Sequence, residues 1–414
     1  MEIEKTITSP FFFSGAIVCS VLAIFLPVHP ALQQPLRLMG VPVALLSFLL
    51  ALGIIYVGVK RSLLRVNILF PISLYITFSL IIMGRSIVSP ALGSDNFWNS
   101  FRGLILLSPL AILSVLASRH GTRAASMTIF VMGLFAVLLY IYLILFENVL
   151  FSHGFRSLSG QVEEENYQAT SFYFGLAALG LLVSFDYLVG LKKMLVFIGF
   201  LVVISLMATV GARASFLGIV LCFAISYASK IFLAFRSWFL LSIGIIIVSG
   251  LCLLFFSDAE SIPDIFSVIA RFQYLSNVED SSMRMMLFGS AIELWLESPL
   301  TVIFGAGLGA FPAYIGQSEL GWYPHNFVLE ALAEGGIIGA FPIIILIYMV
   351  LNRFISDIKD RNIRWDRCYL GYCTIFTIIV YSFTGGFSSL WILVYFIFSY
   401  LLCRDKSLID IKQN

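Results

Sequence analysis

The chain has 414 residues, of which 60% are hydrophobic and 12% are charged, whereas a soluble domain carries about 25% charged residues. This composition excludes a soluble globular protein and predicts an all-α, polytopic helical bundle in a membrane. The net charge of +2 offers no basic surface for nucleic acid. The six cysteines form no CxxC pair, so we expect neither a zinc site nor a disulfide framework.

Twelve apolar runs approach the roughly 20 residues that a helix needs to cross a bilayer. A membrane barrel would alternate polar and apolar residues, and these runs do not, so each run predicts a helical span. The spans are expected at residues 11–28, 36–58, 66–84, 101–118, 124–151, 168–190, 194–211, 214–229, 237–256, 326–352, 368–385 and 388–403. We interpret residues 1–414 as a single integral membrane domain.

The positions of lysine and arginine predict how these spans are oriented. With both termini in the cytoplasm, eighteen of the 25 lysines and arginines fall in cytoplasmic segments, as the positive-inside rule requires. The basic residues left on the outer face are all arginines, namely Arg37, Arg85, Arg102, Arg156, Arg213, Arg271 and Arg284. Arginine binds carboxylate or phosphate oxygens two at a time. The set therefore indicates an outward-facing site for an anionic, phosphate-bearing ligand, and loop arginines paired with acids are the alternative.

The longest segment between spans is a predicted periplasmic loop at residues 257–325, between the ninth and tenth spans. A loop of this length in a compact fold usually has a function. Two stretches of it have helical periodicity: residues 262–275, which contain Arg271, and residues 281–299, which contain Arg284. Both predict short amphipathic helices that lie on the membrane surface or cover the bundle.

The second of these amphipathic helices is predicted in more detail. We expect Ser281 or Ser282 to cap it and Pro299 to end it. Helical spacing predicts that one apolar stripe comprises Met285, Phe288, Ile292 and Trp295 or Leu296. The stretch GAGLG at residues 305–309 follows. No strand precedes this stretch, so we interpret it as a tight connector that lets backbone approach a substrate, rather than as a dinucleotide site.

Two shorter outer loops carry side chains suited to sugar binding. Residues 153–167 contain Arg156 beside three consecutive glutamates, and residues 85–103 contain Arg102 beside Trp98 and two asparagines. Carboxylates and amides hydrogen-bond sugar hydroxyls. The alternatives are that the glutamates only solvate the first loop and that Trp98 belongs to an interfacial aromatic belt.

Arg213 lies where the seventh and eighth predicted spans meet almost without a loop. An arginine between two apolar runs is costly unless a partner or a water-filled cavity receives it. A contact with an anionic ligand therefore competes with snorkelling to the headgroups. Arg284 opens its predicted helix, where free backbone N–H groups add to the affinity for an anion.

His325 and Asn326 stand at the start of the tenth predicted span. Asn326 is a favourable N-cap, and the positive end of the helix dipole disfavours a charged imidazolium at His325. A neutral imidazole is what a general base near pH 7 requires, while an interfacial aromatic with one hydrogen bond is the alternative. Glu330 and Glu334 follow on the face of Asn326, and we expect these costly acids to be paired.

Three segments together resemble the O-antigen ligase/O-antigen polymerase superfamily of bacterial envelope enzymes, which have about twelve spans. They are GARASFLG at 211–218, SSMRMMLFGSAIELWLESPLTVIFGAGLGAF at 281–311, and YPHNFVLEALAEGGIIG at 323–339. The likeness is strongest over residues 200–350, and the flanking spans agree only in number and hydropathy. The pattern His-Asn…Glu-x-Gly-x-x-Gly after a long outer loop is the most specific part of it.

The resemblance implies an inverting glycosyl transfer at the periplasmic face of the bacterial inner membrane, with no metal and no cofactor. The donor would be a glycan on an undecaprenyl pyrophosphate carrier. His325 would be the general base on the acceptor hydroxyl, and Arg213 and Arg284 would hold the pyrophosphate and stabilise it as it leaves. The candidate substrate-binding residues are Asn326, Glu330, Arg102, Arg156 and Arg271.

Two members of this superfamily share the motifs and differ in the acceptor. A polymerase moves the growing chain onto a carrier-linked repeat unit, and a ligase moves the finished chain onto lipid A–core. The spacing around PHNFVLE favours the polymerase, for which a chain-length regulator is a candidate partner besides membrane lipid. A flippase for the same lipid-linked sugar is a third candidate, although we find no internal repeat. A purely structural membrane protein would leave the long outer loop unexplained.

Overall fold

Helices make up most of the part of the chain that the computed structural model describes. It describes residues 17–18, 21–22, 25, 66–89, 91–118, 122–146, 166–210, 213–231, 278–317, 322–360 and 363–403. Within these ranges there is no β-strand. The predicted all-α class is confirmed there, as expected for apolar segments that must satisfy their backbone hydrogen bonds internally.

Thirteen α-helices lie in the described ranges. Their bounds are α1 Val66–Ser86, α2 Asp95–Phe101, α3 Ser108–Ser118, α4 Thr122–Phe146, α5 Asn166–Tyr187, α6 Gly190–Val210, α7 Arg213–Ile231, α8 Val278–Leu296, α9 Pro299–Phe304, α10 Ala310–Tyr314, α11 Phe327–Asp357, α12 Trp365–Thr384 and α13 Leu390–Leu402. A π-helical segment, Arg102–Leu107, joins α2 to α3, and a 3₁₀ turn, Phe387–Ser389, precedes α13.

Six helical segments in the described ranges are long and apolar enough to cross a bilayer, so the protein is embedded in a membrane. They are Leu69–Ser86, Asp95–Leu116, Thr122–Tyr142, Gln168–Tyr187, Gly190–Met207 and Phe327–Asp357. The predicted spans at 36–58 and 237–256 lie outside the described residues, as does most of the span at 11–28. The number of twelve spans, the single domain and the positions of the termini stay predictions.

The prediction that residues 85–103 form a loop is wrong for its second half. A helix begins at Asp95, because the side chain of Ser94 caps it and accepts a hydrogen bond from the N–H of Phe97 at 3.1 Å. This helix continues through the π-helical segment into α3. Arg102 therefore lies on a helix, where it is exposed and donates to the side-chain oxygen of Asn99 at 2.8 Å.

The core is built around α11, which packs against α1, α12 and α13. Gly335 and Gly339 allow α1 to approach closely, since a side-chain carbon at either position would contact Ile82. Gly336 interrupts the helical path of α11 with φ 64° and ψ −171°. The segment before Gly336 is the part of α11 that contacts α8 and α9, so this kink separates two differently packed halves.

The predicted stripe on α8 lies on the outward-facing side of the helix. Leu287, Ala291 and Leu294 are the buried residues of this helix, whereas Met285 and Ile292 are exposed. The helix is apolar on most of its surface, so spacing alone does not decide which side packs. The predicted caps are wrong, because α8 already begins at Val278 and ends at Leu296, while Pro299 begins α9 after the N-cap Ser298.

Candidate functional site

The turn that leads into α11 holds His325 in an unusual backbone conformation. Asn326 caps the helix as predicted, and its side-chain oxygen accepts from the N–H groups of Val328 and Leu329, both at 3.0 Å. His325, with φ 54°, is the one non-glycine residue with positive φ in the described ranges. The left-handed region costs an L-residue about 1–2 kcal/mol. Such strain is typical of functional sites, where the surrounding structure holds it in place.

The His325 imidazole has a polar atom with no partner. Its ring centroid lies 4.2 Å from that of Tyr323, and its Nδ1 is buried without a hydrogen bond to any described residue. Burial first, and the positive charge of Arg284 second, lower the pKa of His325 from 6.5 to about 4. The imidazole is therefore neutral at pH 7 and keeps a lone pair for a proton.

Arg284 is near enough to His325 to act on its charge, because α8 packs beside the start of α11. The buried face of α8 forms a small apolar cluster with Ala306, Ala310, Phe311 and Ala333, to which Trp322 and Leu329 add partly buried contacts. Arg284 itself is half-buried. The structure thus brings near each other two of the three predicted catalytic residues, one from within the predicted outer loop and one from its end.

Glu330 is buried one turn into α11 and binds a second loop. Its Oε2 accepts from the backbone N–H of Phe387 at 2.8 Å. The neighbouring Tyr323 donates its hydroxyl to the carbonyl of Thr384 at 2.9 Å. A side chain at Gly386 would collide with both Tyr323 and Glu330. The turn between α12 and α13 is therefore held against the site by two polar contacts.

Glu334 joins α11 to the glycine-rich segment at 305–309. Its Oε1 accepts from the N–H of Phe311 at 3.3 Å, and its backbone carbonyl accepts from the N–H of Gly307 at 2.9 Å. Its Oε2 is buried and has no hydrogen-bond partner among the described residues. Glu330 and Glu334 are therefore both paired, as expected, and their partners in the described part of the chain are backbone amides.

The glycine-rich segment is a tight connector, as predicted, and it packs closely on protein backbone, while its approach to a substrate stays a prediction. Gly305, Gly307 and Gly309 all have positive φ, at 72°, 92° and 71°. A side-chain carbon at Gly305 would lie 2.3 Å from the carbonyl carbon of Glu334. Arg85 from α1 donates its Nε to the carbonyl of Gly305 at 2.7 Å, so this predicted outer arginine holds the segment in place.

Three of the remaining predicted site residues lie outside the described part, wholly or in their side chains. Arg102 is described: it donates to Asn99, and its neighbour Gly103 packs against the backbone of the turn at Phe387 that binds Glu330. Arg213 begins α7, two residues after α6 ends, as the almost absent loop predicts, and its side chain is outside the described part. Arg156 and Arg271 lie outside the described residues altogether.

Three contributions to the site were not predicted from the sequence: Tyr323, the contact of Arg85 with Gly305, and the turn at Phe387. An aromatic residue two positions before His325 was a usable signal for Tyr323. Nothing local marks the other two, since their partners are far away in the chain. In the described ranges no three His, Cys, Asp or Glu side chains gather as metal ligands would, and the expectation of a metal-free reaction stays a prediction.

Comparisons with known proteins add no relative for this site. No protein-family model matches the chain, and no curated protein matches its sequence. The geometry of His325, Arg284 and the two buried glutamates therefore carries the functional argument.

Proposed function

We propose that the protein is a surface-polysaccharide polymerase of the O-antigen type, a metal-independent, inverting glycosyltransferase at the periplasmic face of the bacterial inner membrane. The donor is a glycan on undecaprenyl pyrophosphate, and the acceptor is a carrier-linked repeat unit. The observation that carries the proposal is the neutral imidazole of His325, whose Nδ1 has no partner among the described residues. His325 stands at the start of the membrane-spanning helix α11, and the cationic Arg284 of α8 is near it.

The proposed reaction needs a base on one side of the anomeric carbon and a positive charge on the other. His325 removes the proton of the acceptor hydroxyl, and the acceptor oxygen attacks the anomeric carbon. The bond from that carbon to the pyrophosphate oxygen breaks, and the pyrophosphate leaves with the electron pair. Arg284, together with Arg213, stabilises the leaving charge. One displacement from the opposite face inverts the anomeric centre.

The positive charge of Arg284 and the negative charge of a bound pyrophosphate together explain how the weakly basic His325 becomes an adequate base. A pKa of about 4 keeps His325 neutral, but a base works best when its pKa is near the working pH. Pyrophosphate bound at Arg284 would offset the positive charge that disfavours the imidazolium. The pKa of His325 would then rise when the donor is bound, so proton transfer becomes favourable only in the loaded site.

The decisive variant is His325→Asn, because asparagine also tolerates the left-handed backbone conformation but has no imidazole. We expect elongation of purified carrier-linked repeat units, without a membrane gradient, to fall by about 10²–10⁴-fold, the usual contribution of a general base. The variant should unfold at the wild-type temperature. Wild-type elongation by His325→Asn would overturn the assignment of the base.

A deletion strain tells the polymerase from the other candidates. Gel analysis of its surface polysaccharide should show core capped with a single repeat unit, and the wild-type gene should restore the ladder. Loss of all capped core, with polymer retained on the carrier, would indicate a ligase instead. Transport of the lipid-linked unit without any elongation would indicate a flippase.

A further inference from the structure

One face of the α8–α9 region presents apolar side chains to the outside of the protein. Leu296 is 56% exposed, Leu300 is 51% exposed and Phe304 is 40% exposed. The opposite face of α8 is buried against the α11 cluster described above. Residues 298–317 contain no charged side chain. An uncharged segment with outward-facing apolar residues requires a partner that is itself apolar.

The position of α9 along α11 indicates its depth. A side-chain carbon at Gly336 would lie 2.4 Å from the carbonyl oxygen of Ile303 and 2.5 Å from the nitrogen of Gly305. Gly336 is the tenth residue of α11, about 15 Å along the helix at 1.5 Å per residue. The end of α9 therefore lies beside the membrane-spanning helix, well below the level of His325.

The end of α1 marks the edge of the hydrocarbon on this side. This helix has 21 residues, about 31 Å, which just crosses a core of about 30 Å. Its last residue, Ser86, accepts at Oγ from the N–H of Leu308 at 2.8 Å, and Ile82 lies against Gly335. Because Ser86 is about one turn, or 6 Å, beyond Ile82, the hydrocarbon edge falls about one turn to the His325 side of Gly335, and the end of α9 beside Gly336 lies on the hydrocarbon side of that edge.

The α8–α9 region is inclined to the membrane plane. The start of α8 is near His325, and the other end of the region is at the hydrocarbon edge, on its hydrocarbon side. Arg284, near the start of α8, is close enough to His325 to lower its pKa. At the far end, Trp295 donates its indole N–H to the carbonyl of Val302 at 3.1 Å, which ties α8 to α9. The exposed Glu293 and Glu297 must stay in the headgroup layer, so only the tip beyond them reaches hydrocarbon.

We infer that Leu300, Ile303 and Phe304 are immersed in the hydrocarbon of the leaflet on the His325 side, with Leu296 at its edge and Met285 in the aqueous or headgroup layer. The occupant of this face is lipid, because the patch continues the exposed apolar surface of α11 at Ile337 and Phe341. Of the two arrangements that the sequence allows for this helix, the inclined one departs from a helix lying flat on the membrane surface and is compatible with a helix that covers the bundle. The inference does not depend on the proposed enzymatic function.

Spin labels on the full chain in lipid nanodiscs test this inference. Single cysteines replace Phe304, Leu296 or Met285 after the six native cysteines are changed to serine or alanine. Collision rates with oxygen and with a water-soluble nickel chelate give the depth of each label. Phe341→Cys, on the exposed face of α11, is the lipid control, and the exposed Lys359→Cys is the aqueous control.

We expect the oxygen-to-nickel ratio at Phe304 to equal that at Phe341, and to fall through Leu296 to Met285, which should approach Lys359. Equal ratios at all three positions would overturn the inclined arrangement. A nickel-accessible Phe304 would overturn immersion. Spin–spin broadening with shielding from both reagents at Phe304 would assign the face to a second copy of the chain, and would overturn lipid as its occupant.

A measurement on the unaltered chain covers the case in which the cysteine-free background does not fold. Wild-type protein in nanodiscs is irradiated with a phospholipid that carries a diazirine in its acyl tail, and the labelled positions are mapped by mass spectrometry. Labels on Leu300–Phe304 and on Phe341, with none on Met285, support immersion of the tip. Labelling of Phe341 without any label on Leu300–Phe304 would contradict it.

Discussion

The two ends of α11 hold their buried polar groups in opposite ways. At the Asp357 end, the carboxylate of Asp357 accepts a forked pair of bonds from Arg367 and a third from the hydroxyl of Tyr400 at 2.7 Å. Arg353 donates to the carbonyls that end α13, including Cys403 at 2.6 Å. At the His325 end, Nδ1 of His325 and Oε2 of Glu334 are buried without a partner among the described residues.

This difference separates a structural cluster from a candidate functional one. A fully satisfied network fixes the packing of the helices that contribute to it. Buried groups without partners lower stability, and natural proteins keep few of them. The His325 end also carries backbone strain at His325. A ligand that pairs with the free atoms would account for both costs, so the His325 end is the part of α11 that we expect to bind substrate.

Removing the carboxylate at the Asp357 end should have the largest effect on stability. Asp357→Ala leaves Arg367 and Arg353 without their shared acid. We expect the free energy of unfolding in detergent to fall by about 3–5 kcal/mol, as when one partner of a buried ion pair is removed. Elongation per folded molecule should be unchanged. The exposed neighbour Lys359→Ala is the control and should change stability by less than about 0.5 kcal/mol. A loss below about 1 kcal/mol in Asp357→Ala would contradict the interpretation of the Asp357 end of α11 as the stabilising end.

The kink of α11 is the next most sensitive position. Gly336→Ala places a methyl group 2.4 Å from the carbonyl oxygen of Ile303 and forces an L-residue into the left-handed region. We expect a loss of about 2 kcal/mol or more in the free energy of unfolding. The matched control is Gly289→Ala on α8, where nothing lies within 4 Å, and which should gain about 0.5–1 kcal/mol. Equal effects at the two glycines would rule out the proposed contact.

Two substitutions at Glu334 separate its accepting oxygen from its charge. Glu334→Gln keeps an oxygen for the N–H of Phe311, so we expect its free energy of unfolding to stay within about 1 kcal/mol of wild type. Glu334→Ala leaves that N–H buried and unpaired, at a cost of about 1–3 kcal/mol. Denaturant titrations of both variants measure the difference. If Glu334→Gln were as unstable as Glu334→Ala, the charge rather than the accepting oxygen would hold the glycine-rich segment.

The predicted effect that is smallest at neutral pH is the pH dependence that His325 contributes. Its pKa in the folded protein, about 4, is below the ordinary value of 6.5, so the unfolded chain binds the proton more tightly. Stability from this group is therefore complete above pH 6.5 and is lost as the pH falls towards 4, by at most about 1.4 kcal/mol per pH unit. His325→Asn should lack this contribution. Arg284→Gln should raise the pKa of His325 in an NMR titration, and an unchanged pKa would show that the two side chains do not interact.

The extent of several helices could be predicted from the sequence because it depends on local properties. Apolar runs and an N-cap predicted that a helix starts after Asn326, and the near absence of a loop between α6 and α7 followed from hydropathy alone. The lowered pKa of His325 was also expected, although the cause differs. The helix dipole was the expected cause, whereas burial and the charge of Arg284 account for the lowered pKa of His325.

The partners of each site residue could not be predicted in this way. Glu330 binds the N–H of Phe387, 57 positions away, and Arg85 binds the carbonyl of Gly305, 220 positions away. An amphipathic pattern also fails on a membrane protein, because lipid and protein core are both apolar. For that reason the spacing on α8 predicts an apolar stripe but not whether lipid or protein covers it.

The sequence by itself determined that this is a helical membrane protein and that a strained histidine–asparagine turn could begin one of its helices. Only the tertiary structure decided that Arg284 meets His325, that the glycine-rich segment packs on the backbone of α11, and which atoms at the two ends of that helix are left without partners. The reason is physical. Hydropathy and capping act over a few neighbouring residues, whereas the pairing of buried charges depends on which helices the fold places side by side.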